Sequence, residues 1–143
     1  IYAVRLSNRT DFEAAAEVLI DGLSRFSLAD DPNLTNGRDN VRPRSQREII
    51  GYYRNGQQVD SFQIGEYSKS VAARTLPNPS DIGTITVTFA AAWKPGETPP
   101  PNEPPVAKSV GPAGTVRGPQ RADPTVTVER LTGGIRAVVK VRY

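Results

Sequence analysis

Between Ile82 and Trp93 the chain alternates with a period of two. Ile85, Val87, Phe89, Ala91 and Trp93 fall on one face, and Thr84, Thr86, Thr88 and Ala90 on the other. Successive side chains of a strand point to opposite faces, and β-branched residues suit the pleated backbone. The stretch is therefore predicted to be a half-buried strand, with the Trp93 ring anchoring the core at its end. Tyr2, Val4 and Leu6 alternate with Ala3 and Arg5 in the same way, ahead of a turn over Asn8 to Asp11. Arg47 to Tyr53 and Asp60 to Tyr67 read as two further strands around Arg54-Asn55-Gly56, where Asn-Gly is a strong turn signal. Ser70 to Arg74 has room for one helical turn before Pro77 and Pro79.

The C-terminal pattern predicts a hairpin. Thr125 to Leu131 forms one strand, Thr132-Gly133-Gly134 the turn, and Ile135 to Tyr143 the return strand. In that return strand Ile135, Ala137, Val139, Val141 and Tyr143 share a face to be buried. Arg136, Val138, Lys140 and Arg142 share a wet one. Residues 12–20 are contested. Thr10-Asp11-Phe12-Glu13 matches a helix capping box, and the alanines that follow favour helix. As a strand, the segment gains an apolar face of Ala14, Ala16, Val18 and Ile20, and the β context of the chain selects the strand.

Lys94 to Pro124 breaks the pattern, with nine of the thirteen prolines and four glycines. Its Pro99-Pro100-Pro101-Asn102-Glu103-Pro104-Pro105 run predicts an extended polyproline segment without ladder hydrogen bonds. The chain thus divides into a β-sandwich body (1–93), a Pro/Gly-rich extended linker (94–124) and a C-terminal hairpin (125–143) completing this sheet or a neighbour's. The fold class expected is all-β, an antiparallel sandwich of about seven to eight strands.

Composition narrows the chemistry. The 143 residues are 37% hydrophobic and 23% charged, which suits one globular domain with a real core. Cys and His are both absent, which removes thiolate nucleophiles, disulfides, imidazole general bases and the usual zinc ligands. No apolar run is long enough to span a bilayer. The chain begins at Ile1 and holds no Met, so it is expected to be a processed product, an excised domain or part of a longer chain. A net charge of +3 is too diffuse for a dedicated nucleic-acid binder, and no nucleic-acid partner is expected.

Carboxylate pairs can hydrolyse glycosides without His or Cys, and Asp21, Glu48, Asp60 and Glu66 are the candidates. Their spacing selects no pair, and surface charge is the better reading. Asp30 to Asn40 is oxygen-rich but departs by one residue from calcium-loop spacing, so it reads as a structural loop without metal. Arg38, Arg42, Arg44, Arg47 and Arg54 form either a patch for an anionic polymer or, more simply, a charged sheet edge. Pro101-Asn102-Glu103-Pro104 is a formal PxxP that a spacer also explains. Asn8-Arg9-Thr10 and Asn33-Leu34-Thr35 are glycosylation sequons. No catalytic, cofactor-binding or metal-binding residue is assigned, and no cofactor is expected.

Several stretches resemble an uncharacterised family of secreted bacterial β-sandwich proteins. They are Ile20-Asp21-Gly22-Leu23, Gly51-Tyr52-Tyr53-Arg54-Asn55, Glu66-Tyr67-Ser68-Lys69-Ser70, Ala72-Ala73, Gly83-Thr84-Ile85-Thr86-Val87 and Ala91-Ala92-Trp93. Family members often carry Trp where this chain has Tyr52. The resemblance implies a strand over residues 12–20 and an extracellular or envelope location, and it supplies no activity. Taken together, the sequence predicts a non-catalytic extracellular or cell-surface structural subunit. Such a subunit would self-associate, assembling into fibres or a surface layer by strand or hairpin exchange. A second expectation is a binding module of a larger secreted protein, for a surface polysaccharide or another anionic polymer. A hydrolase is a distant third.

Overall fold

The computed structural model describes residues 1–76, 81–104, 115–117 and 127–143, the side chains of 115–117, 127 and 128 excepted. The chain is all-β, with antiparallel pairing dominant. The described residues form eleven strands, β1 (Val4–Asn8), β2 (Ala14–Ile20), β3 (Leu23–Ser24), β4 (Arg38–Val41), β5 (Ser45–Ile49), β6 (Gly51–Asn55), β7 (Gln58–Ser61), β8 (Thr84–Trp93), β9 (Thr115–Arg117), β10 (Thr127–Glu129) and β11 (Leu131–Arg142). A seven-stranded sheet runs β10-β9-β4-β2-β8-β11, with β3 added beside β2, and β1-β5 and β6-β7 form two ribbons. All pairings are antiparallel except β4 with β9.

Residues 14–20 are a strand, and the contest with helix is decided by burial. Ala14, Ala16, Val18 and Ile20 enter the core opposite Ala91, Phe89, Val87 and Ile85 of β8. The helix cap is not used. The Thr10 hydroxyl donates to the Phe12 carbonyl and to Asn8 Oδ1, while Glu13 accepts from Arg130. Leu6 of β1, Ile49 of β5, Tyr52 of β6 and Phe62 pack onto the same face of β2 and β8. The ribbons therefore cover one side of the large sheet.

Local turn chemistry sets the hairpins. Asp21 (φ 53°) and Gly22 (φ 80°) join β2 to β3 in a two-residue loop, both in the left-handed region that such loops require. The Asn55 carboxamide accepts from Gln57 N in the turn between β6 and β7, where Asn-Gly predicted it. Strand β7 ends at Ser61 rather than running to Tyr67, and Tyr67–Lys69 is a 3-10 turn. Helix α1 (Val71–Thr75) follows, its Ala73 N–H bonded to the Ser70 hydroxyl, as the single helical turn expected there. Gly51 has no substitute, because a Cβ there would strike the Asp60 carbonyl of the neighbouring strand.

The C-terminal hairpin is a correction. Leu131–Arg142 is one continuous strand paired along β8, and Thr132-Gly133-Gly134 is a bulge in it rather than a turn. Gly permits either outcome. Here the pairing partner lies some fifty residues away, and the register skips between Thr132 and Ile135 and again between Ile135 and Ala137. Ile135 consequently sits opposite Ala90, out of phase with Ala137, Val139 and Val141. Strand β10 pairs with β9 instead of β11. The segment expected to be a Pro/Gly-rich extended linker contributes β9, and its residues 105–114 and 118–124 lie outside the described ones, as does the start of the predicted hairpin strand. Where the Pro-rich run is described it is fastened to β11. The Glu103 carboxylate accepts from Gly134 N (2.7 Å) and Arg136 (2.6 Å), and the Pro101 carbonyl accepts from Arg136 (3.1 Å).

Candidate functional site

The sequence candidates separate in the fold. Asp21 is buried at the β2–β3 turn, where it accepts from Gly83 N (2.7 Å) and from the Tyr143 hydroxyl (2.8 Å). Glu48, Asp60 and Glu66 each lie on the exposed surface beside a cation: Arg5 at 3.7 Å, Arg54 at 3.7 Å and Lys69 at 3.0 Å. Asp30, Asp31 and Asp39 of the Asp30–Asn40 stretch have protein partners. Asp30 takes Asn55 and Arg54, and Asp31 caps a 3-10 turn through Asn33 N. Among the described residues, no group of three or more Asp and Glu gathers around a common point that would suit a metal. The sequon Asn8 is buried, and its Nδ2 donates to the carbonyls of Phe12, Val41 and Arg42, while Asn33 is exposed.

The arginine run disperses as well. Arg44 pairs with Asp11 at the surface, which holds the Asp11 carboxyl below its ordinary range. Arg47 turns inward to a buried network. Asp39, fully buried, receives Arg25 Nε (2.5 Å), Arg25 Nη2 (2.7 Å) and Arg47 Nη2 (2.9 Å). Arg25 also donates to the Gly51 carbonyl and lies 4.4 Å from the Phe26 ring centroid, and Arg47 donates to the Asn40 carbonyl. Burial pushes the Arg47 guanidinium below its usual value; Asp39 opposes that shift and Arg25 adds to it. This network links β4, β5 and β6. It is enclosed, so its chemistry is structural. Sequence reasoning placed Asp39 in a loop and Arg47 in a surface patch; only strand adjacency brings them together.

A cluster of aromatic rings gathers around Phe62. Tyr2 stacks on Phe62 (5.4 Å), Tyr52 meets Phe62 edge-on (5.2 Å), and Tyr143 lies 6.0 Å from Tyr2. Burial raises the Tyr52 and Tyr143 hydroxyls above their ordinary value, and the Asp21 carboxylate that receives the Tyr143 hydroxyl reinforces the latter.

Two open grooves flank Phe12. One, of about 510 Å³, is lined by Phe12, Trp93 and Pro99–Pro101 with Asp11, Glu13 and Glu97 at its polar side. Trp93 is half-buried there and stands outside the core cluster, which corrects its expected role as a core anchor. The second groove, of about 270 Å³, is mostly apolar and runs between the Ser7–Thr10 turn and Phe89, Ala137 and Val139. Arg136 roofs the Phe12 ring at 4.7 Å.

The most exposed apolar feature is β11. Ala137, Val139 and Val141 continue the core face of β8, but the ribbons stop short of them. Val139 is 49% and Val141 51% exposed, and on the other face Val138 is 58% exposed. The strand ends the sheet order, so its outer edge has no partner strand among the described residues. The expectation that this face is buried is corrected here. Compared with known proteins, the chain matches no family model, no curated protein and no solved structure.

Proposed function

We propose that the chain is a non-catalytic structural subunit, extracellular or on a cell surface, that self-associates through its sheet edges. The observation that carries this reading is β11, a twelve-residue terminal strand with large apolar side chains open on both faces. Unpaired N–H and C=O groups beside exposed apolar residues are a template for another strand, and a protein that stays single normally blunts such an edge. Location rests on the resemblance of Gly51–Asn55 and its companion stretches to secreted proteins. Sizing by light scattering together with negative-stain imaging tests the reading. Discrete oligomers, fibres or layers are expected, and a monomer at high concentration defeats it.

A second reading, a ligand-binding module for a surface polysaccharide, is favoured by the Trp93 groove, which sets an aromatic ring beside Asp11, Glu13 and Glu97. Aromatic faces with neighbouring carboxylates suit sugar rings. The chain's single Trp lies in that groove, so its fluorescence reports occupancy directly. Titration with soluble oligosaccharides that shifts this emission saturably supports the module; an unchanged spectrum across a glycan panel removes it.

A further inference from the structure

We infer that a second copy of this chain seats its own β11 antiparallel against the open edge of β11, with Val139 opposite Val139 across a two-fold axis. The inference deepens the self-association reading and rests on it.

Backbone alternation fixes which groups are available. Tyr143 N donates inward to the Gly83 carbonyl at 2.9 Å, and the β8 register is unbroken from Ala137 to Arg142. In an antiparallel ladder, alternate residues direct both backbone groups to the same neighbour. Val139 and Val141 therefore bond inward to β8, while Val138, Lys140 and Arg142 direct N–H and C=O outward. A two-fold perpendicular to the sheet keeps each side chain on its own face, so only residues of like parity meet. Centred on Val139, the register pairs outward-bonding Val138 with outward-bonding Lys140, twice. It also pairs Val139 with itself and Val141 with Ala137 on the apolar face.

Charge and the bulge select this register over its neighbours. Centring on Lys140 sets that lysine against itself, and directly opposed like charges destabilise a strand pair; centring on Val138 sets Val141 against Ile135, which the bulge has turned out of phase with the apolar row. The Val139 register keeps the central five positions free of such a clash. Its outer pair, Arg136 with Arg142, is relieved because Arg136 is the extra residue of the bulge and is held by Glu103 at 2.6 Å. Lys140, the residue that would ordinarily guard the edge, is paired with Asp81 at 2.8 Å. The joined apolar rows of Ala137, Val139 and Val141 then shield each other where the ribbons leave them open. Such an interface is closed, so it makes a dimer, and any larger array needs a second contact elsewhere.

Cysteine cross-linking of the full chain tests the geometry, helped by the absence of native Cys. Val139–Val139 is a non-hydrogen-bonded pair, with Cα atoms about 4.5 Å apart, within the span of a disulfide. Val139→Cys is expected to cross-link to near completion under mild oxidation, whereas Val138→Cys, opposite Lys140, lags at least tenfold. Val139→Lys, at a half-exposed position, is expected to weaken dimerisation at least tenfold while circular dichroism shows the fold retained. If the wild type dimerises but Val139→Cys links no faster than Val138→Cys, and Val139→Lys dimerises normally, the Val139 register is wrong and self-association through another surface stands. A wild type that stays monomeric at high concentration overturns both.

Discussion

Strands β2 and β11 both flank β8, and they read alike in sequence. Across one row of the sheet, Ile20 faces Ile85 and Ile85 faces Val141; in the next row, Val18 faces Val87 and Val87 faces Val139. Exposure rises along each row from 1–2% in β2 to about half in β11. The difference lies in the surroundings. Strand β2 has β4 and β3 on its far side and the ribbons above it, whereas β11 has neither among the described residues. Alternation therefore reports that a strand has an apolar face and leaves open whether anything covers it.

The comparison is broken most forcefully beneath β4. Removing the Asp39 carboxylate leaves Arg25 and Arg47 buried without their counter-charge, and breaking a buried ion network in this way costs about 3–5 kcal/mol. Asp39→Ala is expected to lower the denaturation midpoint accordingly. A chemical melt close to wild type would show that the network is solvated and the deep side is less enclosed than its geometry indicates.

Truncating the two ends of one row measures the gradient itself. Ile20→Ala is expected to cost about 2–4 kcal/mol, in the range for buried isoleucines. Val141→Ala, at the other end of the row, is expected to cost less than about 1 kcal/mol in the monomer. Equal losses in paired urea titrations would mean that something covers β11 as fully as β2. Trp93→Ala falls between them. Its half-buried ring lines a groove instead of the core, so a loss of about 1–2 kcal/mol is expected, below the ~3–5 kcal/mol of a fully buried aromatic.

The smallest effect is in pH. Tyr52 on the deep side and Tyr143 on the open side both have hydroxyls raised above the ordinary value of 10.0. A raised folded-state value means that the unfolded chain ionises first. Their contribution to stability is therefore complete below pH 10 or so and is lost as pH rises above it. In an alkaline titration, tyrosinate absorbance from the buried Tyr52 is expected to appear together with unfolding, while the half-exposed Tyr143 ionises without it. Reversible ionisation of Tyr52 near the ordinary value, with the fold intact, would contradict its burial.

Much of this fold was legible. The β8 alternation, the Asn55-Gly56 turn and the helical turn after Ser70 are local signals, and the chain obeys them. Asp21-Gly22 was equally legible as a two-residue hairpin loop, but the strand it leads into, Leu23–Ser24, is too short to show any alternation. Gly133-Gly134 misled for a physical reason: two glycines permit a turn or a bulge, and the choice fell to a partner distant in sequence. The same applies to the candidate site. Val138, Val139 and Val141 announced a strand, but their exposure depends on ribbons that end over β8. The Asp39 network was hidden for the converse reason, since only the packing of β4 beside β5 and β6 turns an acidic loop residue and a surface-like arginine inward.

The hydrogen bond from Tyr143 to Asp21 spans 122 positions of sequence, and that from Arg130 to Glu13 spans 117. Contacts so far apart form late, because a long loop must close before either contributes. Chains dominated by such pairings fold in about milliseconds to seconds rather than microseconds. The β8–β11 pairing itself closes over 38 to 58 positions, and until it forms the Thr84–Trp93 ladder is open on that edge to any strand that arrives first. Time, as much as final stability, then decides whether β8 receives its own β11 or a stranger's.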